Sequence, residues 1–339
     1  MRPLFSVIVP VYNAGSFVFD VMSCLDRQTY KNFEAVFVDD GSTDKTYELM
    51  ESIVGQRSQF RIYRQQNKGP LMARRFALDH AKGLYALFLD VDDLLREDAL
   101  ETIASVIERT GADIISFPFS RSLDFSQAYG ARLKEGIYDS DRYMQVKQLV
   151  CGGAFNSLWG KAVKLSCIDI DASYESYVGM MHGEDLFQLL PIIDNASSFV
   201  QLSEALYFYR DSSESSTSCF RERQLLDIVI VNRRLLSFAR KWGNACVEAA
   251  VHGEVNQYLY LMQIVENGSL AVGKKNNVFL AIKSVMAEEH VFDRASSTRQ
   301  RFDICIILYL LETNRFLAAR RMVRTIEKVK SILGHVKKR

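Results

Sequence analysis

Hydrophobic residues in the first 120 positions follow two alternating patterns. Short apolar runs rich in β-forming residues predict strands at Phe5–Val11, Glu34–Val38, Phe60–Tyr63, Tyr85–Leu89 and Asp113–Phe117. Apolar residues at helical spacing predict helices between them, at Phe17–Gln28, Lys45–Val54, Leu71–Ala81 and Glu97–Arg109. Strands that alternate with crossover helices are typical of a doubly wound α/β domain with a mostly parallel sheet.

Residues that commonly begin or end helices support these boundaries. We expect Ser42 or Thr43 to cap the second helix and Asp93 to cap the fourth. Gly83 and Gly111 each follow a predicted helix, where a left-handed closing residue is favoured.

The pattern changes further along the chain. Short elements interrupted by glycine and serine extend to residue 218, and long helical stretches rich in Leu, Arg and Glu follow. We therefore predict an α/β domain over 1–218, divided into halves 1–120 and 121–218, and a helical C-terminal region over 219–339.

Composition narrows the class of protein. The 339 residues include 42 Lys+Arg and 41 Asp+Glu, which lacks the positive excess of a globally basic nucleic-acid-binding protein. The six cysteines form no C-x-x-C pair, which argues against a disulfide framework or zinc site and indicates a reducing compartment. No signal peptide or apolar run long enough to span a bilayer is evident, so we expect a soluble, cytoplasmic protein.

The last twenty residues, 320–339, differ from the rest of the chain. Eight Lys or Arg and a single Glu surround an apolar stripe at helical spacing: Met322, Ile326, Val329, Leu333 and Val336. A basic amphipathic helix of this kind suits peripheral contact with an anionic membrane. It is equally suited to docking on the preceding helices or to pairing in a homodimer, and the sequence leaves all three open.

Polar loops follow the carboxyl ends of the predicted strands, which meet at one edge of a parallel sheet. These loops read Val11-Tyr12-Asn13, Asp39-Asp40-Gly41-Ser42, Asn67-Lys68-Gly69 and Asp90-Val91-Asp92-Asp93. Like-charged carboxylates gathered at one edge repel each other, unless a divalent cation joins them to a phosphate. Mg²⁺ is commonly held in this way, by one or two carboxylates together with substrate phosphates.

Four segments in this order resemble the family 2 glycosyltransferases of the GT-A fold, in particular their polysaccharide-forming bacterial branch. The segments are FSVIVPVYNAG, VDDGSTD, the N-x-G sequence followed by Ala73-Arg74, and FLDVDD. The resemblance implies inverting transfer of a sugar from a nucleotide-diphosphate donor, with Mn²⁺ or Mg²⁺ as cofactor. It makes 1–120 the nucleotide-sugar-binding half and 121–218 the acceptor-binding half.

The resemblance also implies roles for individual residues. The expected donor site comprises Pro10, Val11, Tyr12, Asn13, Asp40, Lys68, Gly69, Arg74, Asp90 and Arg210. Within it, Asp40 would contact the base, Arg74 the diphosphate, and Asp90 the ribose. Asp92 would be the main metal ligand, with Asp90 beside it.

A second acidic segment, His182-Gly183-Glu184-Asp185, resembles the family's E-D motif and precedes an apolar helix. The resemblance implies that Asp185 is the catalytic base and that Glu184 orients it or the acceptor. Trp159, Lys161 and His182 are candidate acceptor contacts, although a core tryptophan is an equal alternative. The serine-rich run 213–218 after Arg210 resembles a loop that closes over the donor.

We therefore expect a glycosyltransferase of surface or capsular polysaccharide synthesis that uses a nucleotide-sugar, with UDP-sugar favoured, and a glycan or lipid-linked saccharide acceptor. A nucleotidyltransferase with a related sheet is an alternative, but it usually has a basic loop after the first strand, and residues 11–16 contain no Lys or Arg. A non-catalytic nucleotide-sugar-binding protein is another alternative, against which the presence of both Asp92 and Asp185 argues.

Overall fold

The computed structural model describes residues 2–55, 57–130, 132–211 and 220–325. The chain divides into two compact units. The first comprises Met1–Val150 and Ala154–Asp211, and the second comprises Cys151–Gly153 and Ser212–Arg339.

A mixed eight-stranded sheet forms the centre of the first unit. Its strands are β1 (Phe5–Val11), β2 (Phe33–Asp39), β3 (Phe60–Arg64), β4 (Tyr85–Phe88), β6 (Ile114–Ser116), β8 (Gly136–Asp139), β9 (Lys161–Lys164) and β10 (Ser198–Gln201). They lie in the order β3-β2-β1-β4-β9-β6-β10-β8. The first four are parallel to each other, whereas β9 runs antiparallel to both of its neighbours.

A small second sheet lies beside this one. It contains β5 (Leu94–Leu95), β7 (Phe119–Ser120) and β11 (Tyr207–Phe208), in the order β5-β11-β7. Because β5 follows directly after the Asp90–Asp93 loop and pairs with β11, this sheet holds that loop next to Tyr207 and Phe208.

Six helices belong to the sheet-containing part of the chain. They are α1 (Val18–Asp26), α2 (Thr46–Val54), α3 (Pro70–Asp79), α4 (Ala99–Thr110), α5 (Ser140–Cys151) and α6 (Glu184–Asn195). The helices that pack on the sheet make strands β1 and β2 almost entirely buried, as expected for parallel strands covered on both faces. The predicted fold class, a mostly parallel α/β sheet followed by a helical C-terminal region, is confirmed.

The predicted strands and helices of the first 120 residues are present, with ends shifted by a few residues, but two capping predictions are wrong. The Ser42 hydroxyl accepts a hydrogen bond from the Asn13 backbone instead of capping α2, where Asp44 accepts one from the Thr46 amide. Asp93 is buried before β5, and Asp98 occupies the N-cap position of α4.

The two predicted closing glycines have different roles. Gly111 ends α4 in the left-handed conformation, as predicted. Gly83 does not close α3, whose C-cap is His80. It is required instead by a close approach, since a Cβ at this position would lie 2.6 Å from the Ser6 backbone nitrogen.

The second unit is helical. It contains α7 (Arg223–Trp242), α8 (Asn244–Asn267), α9 (Val272–Glu288), α10 (Val291–Ser296) and α11 (Phe302–Glu312), and residues 316–325 are also helical. Its core includes the buried side chains of Tyr258, Phe279 and Ile282. Within the described ranges, no helix combines the length and apolar character that crossing a bilayer requires.

Only the beginning of the basic segment 320–339 can be assessed, because 326–339 lie outside the described residues. Val323 is buried, and Arg320 is buried in an ion pair with Glu266 and a 2.6 Å hydrogen bond to Asn276. Arg324 pairs with the same glutamate at 3.0 Å. Residues 320–325 are therefore docked on the preceding helices, and the charges of Arg320 and Arg324 are engaged within the unit.

Candidate active site

The loops after β1 and β2 are joined by hydrogen bonds. The Asn13 backbone amide donates to the Ser42 hydroxyl at 2.9 Å, and the Thr43 amide donates to the Asn13 side-chain oxygen at 2.8 Å. Asn13 adopts a positive φ of 47°, which Asn tolerates better than most residues. Its neighbour Tyr12 keeps 48% of its surface exposed, whereas Val11 is buried.

Asp40 connects this edge to the loop after β3. Its carboxylate accepts hydrogen bonds from the Gln65 side chain at 2.7 Å and from the Lys68 and Gly69 backbone amides at 2.9 and 2.8 Å. Burial raises its pKa despite these bonds. The fold thus uses Asp40 to hold the Lys68–Gly69 turn, and the Lys68 ammonium itself lies 3.6 Å from Glu175.

Arg74 is the centre of the acidic site. From α3 its guanidinium lies 2.8 Å from Asp90, 2.9 Å from Asp185 and 3.4 Å from Glu184. The side chain is only 6% exposed, whereas Glu184 and Asp185 are 17% and 20% exposed. The contact of Arg74 with a diphosphate stays a prediction, whereas the structure brings Arg74, Asp90 and the E-D pair together.

Burial and charge together shift the pKa values of Arg74, Glu184 and Asp185. Burial alone lowers the pKa of Arg74, but the charges of Asp185, Asp90 and Glu184 outweigh it and raise that pKa. Burial, with the neighbouring Asp185, raises the pKa of Glu184 to about 8. Burial also raises the pKa of Asp185, although Arg74 opposes the rise. A carboxyl with a raised pKa is suited to proton transfer near neutral pH.

Asp93 and Tyr207 organise the loop Asp90–Asp93, which we call the D-x-D loop. The sequence did not indicate this role for either residue. The Tyr207 hydroxyl donates to Asp93 at 2.6 Å and accepts from the Asp90 amide at 3.3 Å. Arg210 adds two bonds, from its amide to Asp93 at 2.8 Å and from its guanidinium to the Asp92 carbonyl at 2.8 Å. These pairs are more than a hundred residues apart in the chain, so no local pattern indicates them.

The residues present fit a divalent cation only if the substrate completes its coordination shell. Among the described residues there is no group of three or more His, Cys, Asp or Glu that could hold a metal. Asp90 is paired with Arg74, whereas burial and the Asp90 charge raise the pKa of Asp92. A carboxylate destabilised by a like charge is suited to a cation, and Mg²⁺ often takes few protein ligands.

The acceptor candidates lie close to the E-D pair. The loop before β9 donates its Leu158 amide to Asp185 at 3.1 Å. Trp159, next in the chain, stacks on Tyr207 with ring centroids 5.1 Å apart. Lys161 is buried, its ammonium donates to the Ser157 carbonyl at 2.7 Å, and burial lowers its pKa to about 8.

Three further predictions from the sequence concern His182, Arg210 and the serine-rich run 213–218. His182 lies in the loop directly before α6, two residues from Glu184. Arg210 forms an ion pair with Asp20 at 3.1 Å in addition to its bonds to the D-x-D loop. The serine-rich run 213–218, predicted to close over the donor, lies outside the described residues.

Residues 6–161 match the family model for glycosyl transferase family 2. The chain carries a family 2 glycosyltransferase domain. The match begins in β1 and ends at the first residue of β9, so it spans the four strand-end loops and the Trp159 segment. It also sets aside the alternative of a nucleotidyltransferase.

Curated relatives of this glycosyltransferase domain are bacterial. Glycosyltransferase GlyG of Streptococcus pneumoniae is 35% identical over 116 residues, or 34% of this chain and 38% of the relative. Glycosyltransferase GlyA of the same organism is 28% identical over 232 residues, 66% of this chain and 33% of the relative. The putative teichuronic acid biosynthesis glycosyltransferase TuaG of Bacillus subtilis is 37% identical over 30% of this chain and 40% of its own. The chain thus spans only about a third to two fifths of these relatives.

Solved structures share the fold of this chain. TarS residues 1–349 of S. aureus, in complex with UDP-GlcNAc, match with a TM-score of 0.65 and 19% identity, covering 96% of this chain and 91% of that one. A mannosyltransferase of Pyrobaculum calidifontis, in complex with GDP-Man and Mn²⁺, matches with a TM-score of 0.54 and 17% identity, covering 98% and 85%. The GT-A type of fold predicted from the sequence is confirmed.

Proposed function

We propose that this chain transfers a sugar from a nucleotide-diphosphate donor to a saccharide acceptor, with inversion at the anomeric carbon, in the synthesis of a bacterial surface polysaccharide. A UDP-sugar is the favoured donor, because the TarS structure that shares this fold holds UDP-GlcNAc. The polysaccharide role is supported by the similarity to TuaG, which is named for teichuronic acid biosynthesis.

One observation carries the proposal: Arg74 bridges Asp90, at the end of the nucleotide-binding strands, and the Glu184–Asp185 pair at the start of α6. A donor phosphate near the D-x-D loop would therefore lie close to a base at Asp185. A single displacement requires the base and the leaving diphosphate to lie near one sugar ring, because the attacking hydroxyl and the diphosphate are on its opposite faces.

In the proposed reaction, Asp185 accepts the proton of the acceptor hydroxyl as its oxygen bonds to the anomeric carbon. The bond from that carbon to the diphosphate oxygen breaks in the same step, and the electron pair leaves with the diphosphate. Arg74 opposes the rise that burial causes in the pKa of Asp185, and Glu184, with its pKa of about 8, is suited to hydrogen bonding in the protonated form.

We further propose that Asp92, assisted by Asp90, holds Mn²⁺ or Mg²⁺ together with the donor phosphates. When bound, such a cation stabilises the negative charge of the leaving group. The carboxylate of Asp92 and the positive charge of Arg74 are the contributions of this chain to that task.

The donor is identified by measuring nucleotide release from a panel of UDP-, GDP- and dTDP-sugars in the presence of Mn²⁺, with thermal shift as a second readout. We expect one nucleotide class to stabilise the protein and to be cleaved. If no nucleotide-sugar shifts the melting temperature or releases its nucleotide, the proposed function is wrong.

The base is tested with Asp185→Asn, for which we expect transfer to fall by at least about a hundredfold, within the range for general-base catalysis. The matched control is Asp141→Asn, because Asp141 lies in the first turn of α5 in the same way that Asp185 lies in the first turn of α6. Transfer by Asp185→Asn at the rate of the parent protein would assign the base to another residue.

A further inference from the structure

A pocket of about 230 Å³ opens in the first unit beside the Trp159 loop. Its walls include four aromatic side chains, Phe119, Tyr129, Phe155 and Trp159. The rings of Phe119 and Trp159 meet edge to face at 5.3 Å, and Tyr129 packs against Phe119 at 5.8 Å. Aromatic faces arranged around a cavity of this size suit the flat, weakly polar faces of one sugar ring.

The charge of the pocket is entirely positive. The described lining residues include Arg132 and Lys161 but no Asp or Glu. Arg132 is exposed, and in the described part of the chain it makes no ion pair or hydrogen bond. Lys161 is buried, and its ammonium lies over the Phe155 ring at 5.6 Å. A pocket wall that contains two cationic side chains and no carboxylate favours a ligand that carries its own negative charge.

The shape of the pocket depends on two glycines in left-handed backbone. A Cβ at Gly130, where φ is +86°, would lie 3.0 Å from the Phe119 ring. A Cβ at Gly160, where φ is +71°, would lie 3.2 Å from the Phe117 carbonyl oxygen. The aromatic wall is therefore built on turns that side chains would disturb.

The same loop contacts the proposed base. Leu158 donates its amide to Asp185, and Trp159 stacks on Tyr207, whose hydroxyl is bonded to Asp93. The charge of Asp185 also acts on Lys161 and opposes the lowering of its pKa by burial. A ring held in this pocket would therefore lie on the acceptor side of the site.

We infer that this pocket is an acceptor subsite for an anionic saccharide, a sugar ring that carries a carboxylate or a phosphate, with the rings of Phe119 and Trp159 against the sugar and Arg132 paired with the anion. The inference rests on the proposed function, since it specifies the acceptor of that reaction. Arg132 acts here as a specificity-determining residue.

Binding can be measured without any transfer step. The chain has two tryptophans, so Trp242→Phe leaves Trp159 as the sole indole, located in the pocket itself. We expect saturable changes in its fluorescence with methyl glucuronide, with glucose 6-phosphate or with both, and much weaker changes with methyl glucoside. Which of the two anions binds distinguishes a carboxylate acceptor from a phosphate acceptor. Equal affinity for the neutral and the anionic sugars would overturn the inference.

The role of Arg132 is tested in the same background. Arg132→Gln should weaken binding of the anionic sugar by about tenfold, in keeping with the loss of one charge-assisted hydrogen bond. The matched control is Arg109→Gln, which removes an exposed arginine from the last turn of α4, outside the pocket. Unchanged affinity in Arg132→Gln would overturn the assignment.

Nucleotide release by the same preparation separates this inference from the proposed function. Selective binding of anionic sugars without cleavage of any nucleotide-sugar would leave the subsite in place and refute the proposed reaction. Transfer to neutral acceptors as efficient as to anionic ones would support the reaction and refute the subsite.

Discussion

Arg74 offers the sharpest test of how the acidic site is held together. Replacement by Met keeps much of the buried aliphatic volume and removes a cation that lies within 3.4 Å of Asp90, Glu184 and Asp185. Breaking a buried ion pair by removing one partner costs about 3–5 kcal/mol, because the remaining charge is left uncompensated. We expect Arg74→Met to lower the free energy of unfolding by about 3–5 kcal/mol at pH 8.

The loss should depend on pH, and its sign follows from proton linkage. Without Arg74 the pKa values of Glu184 and Asp185 in the folded state rise further above their unfolded values of about 4. A carboxyl with a raised folded pKa binds more protons when folded, so stability falls as pH rises from about 4 towards that pKa. Glu184 already has a pKa of about 8 in the parent protein, so the stability of Arg74→Met should fall over the range from about pH 4 to above pH 8.

The measurement is urea unfolding followed by circular dichroism at pH 4.5, 6 and 8, with EDTA present so that no cation replaces the arginine. The matched control is Arg75→Met. Arg75 is also buried, but it donates to the carbonyls of Asp169 and Ile170 and stacks on Tyr174, with no carboxylate among these partners. Its loss should therefore cost nearly the same at every pH. An Arg74→Met penalty as flat across pH as that of Arg75→Met would refute the reasoning.

Two further predictions concern the framework of the site. Gly83→Ala should unfold at a markedly lower urea concentration than the parent, because the added Cβ would lie 2.6 Å from the Ser6 nitrogen. A Cβ at Gly111 would meet no atom within 4 Å, so Gly111→Ala should cost only the strain of its positive φ of 62°, about 1–2 kcal/mol. Equal losses would contradict the close approach. Tyr207→Phe should cost about 1–3 kcal/mol, because the buried Asp93 loses the hydrogen bond of this hydroxyl and keeps that of the Arg210 amide, and it should slow nucleotide release; wild-type values for both would show that the D-x-D loop does not depend on this hydroxyl.

The strands, and the edge of the sheet at which their following loops meet, could be predicted because local sequence determines them. Strands β1 and β2 are buried on both faces, so their residues form continuous apolar runs that few other structures accommodate. The direction of parallel strands then requires their following loops to meet at one edge. Asp40 and Asn13 are found there, in loops cross-linked by the hydrogen bonds of Ser42 and Thr43.

The helix caps could not be predicted because local preference was outweighed by tertiary contacts. Asp93 has the residue type and position of an N-cap, yet its carboxyl is bound by Tyr207 and by Arg210, which lie 114 and 117 positions along the chain. Ser42 is similarly bound to Asn13 from the first loop. In both cases a buried polar group meets a distant partner that the local pattern does not include.

The acceptor side of the site shows most clearly where sequence reasoning ends. Two acidic residues in the first turn of α6 have a sufficient local explanation in the helix dipole, so their spacing alone indicates no base. What makes them a site is Arg74, 110 positions before Glu184, which no periodicity connects to them. The resemblance to family 2 supplied the predicted role of Asp185, but it gave no sign of Arg132, which lies in an irregular segment and matches no motif. Its importance follows only from the pocket, in which this exposed arginine, a buried lysine and aromatic rings adjoin the loop that binds Asp185. A specificity residue of this kind is determined by the fold, and only the folded arrangement can reveal it.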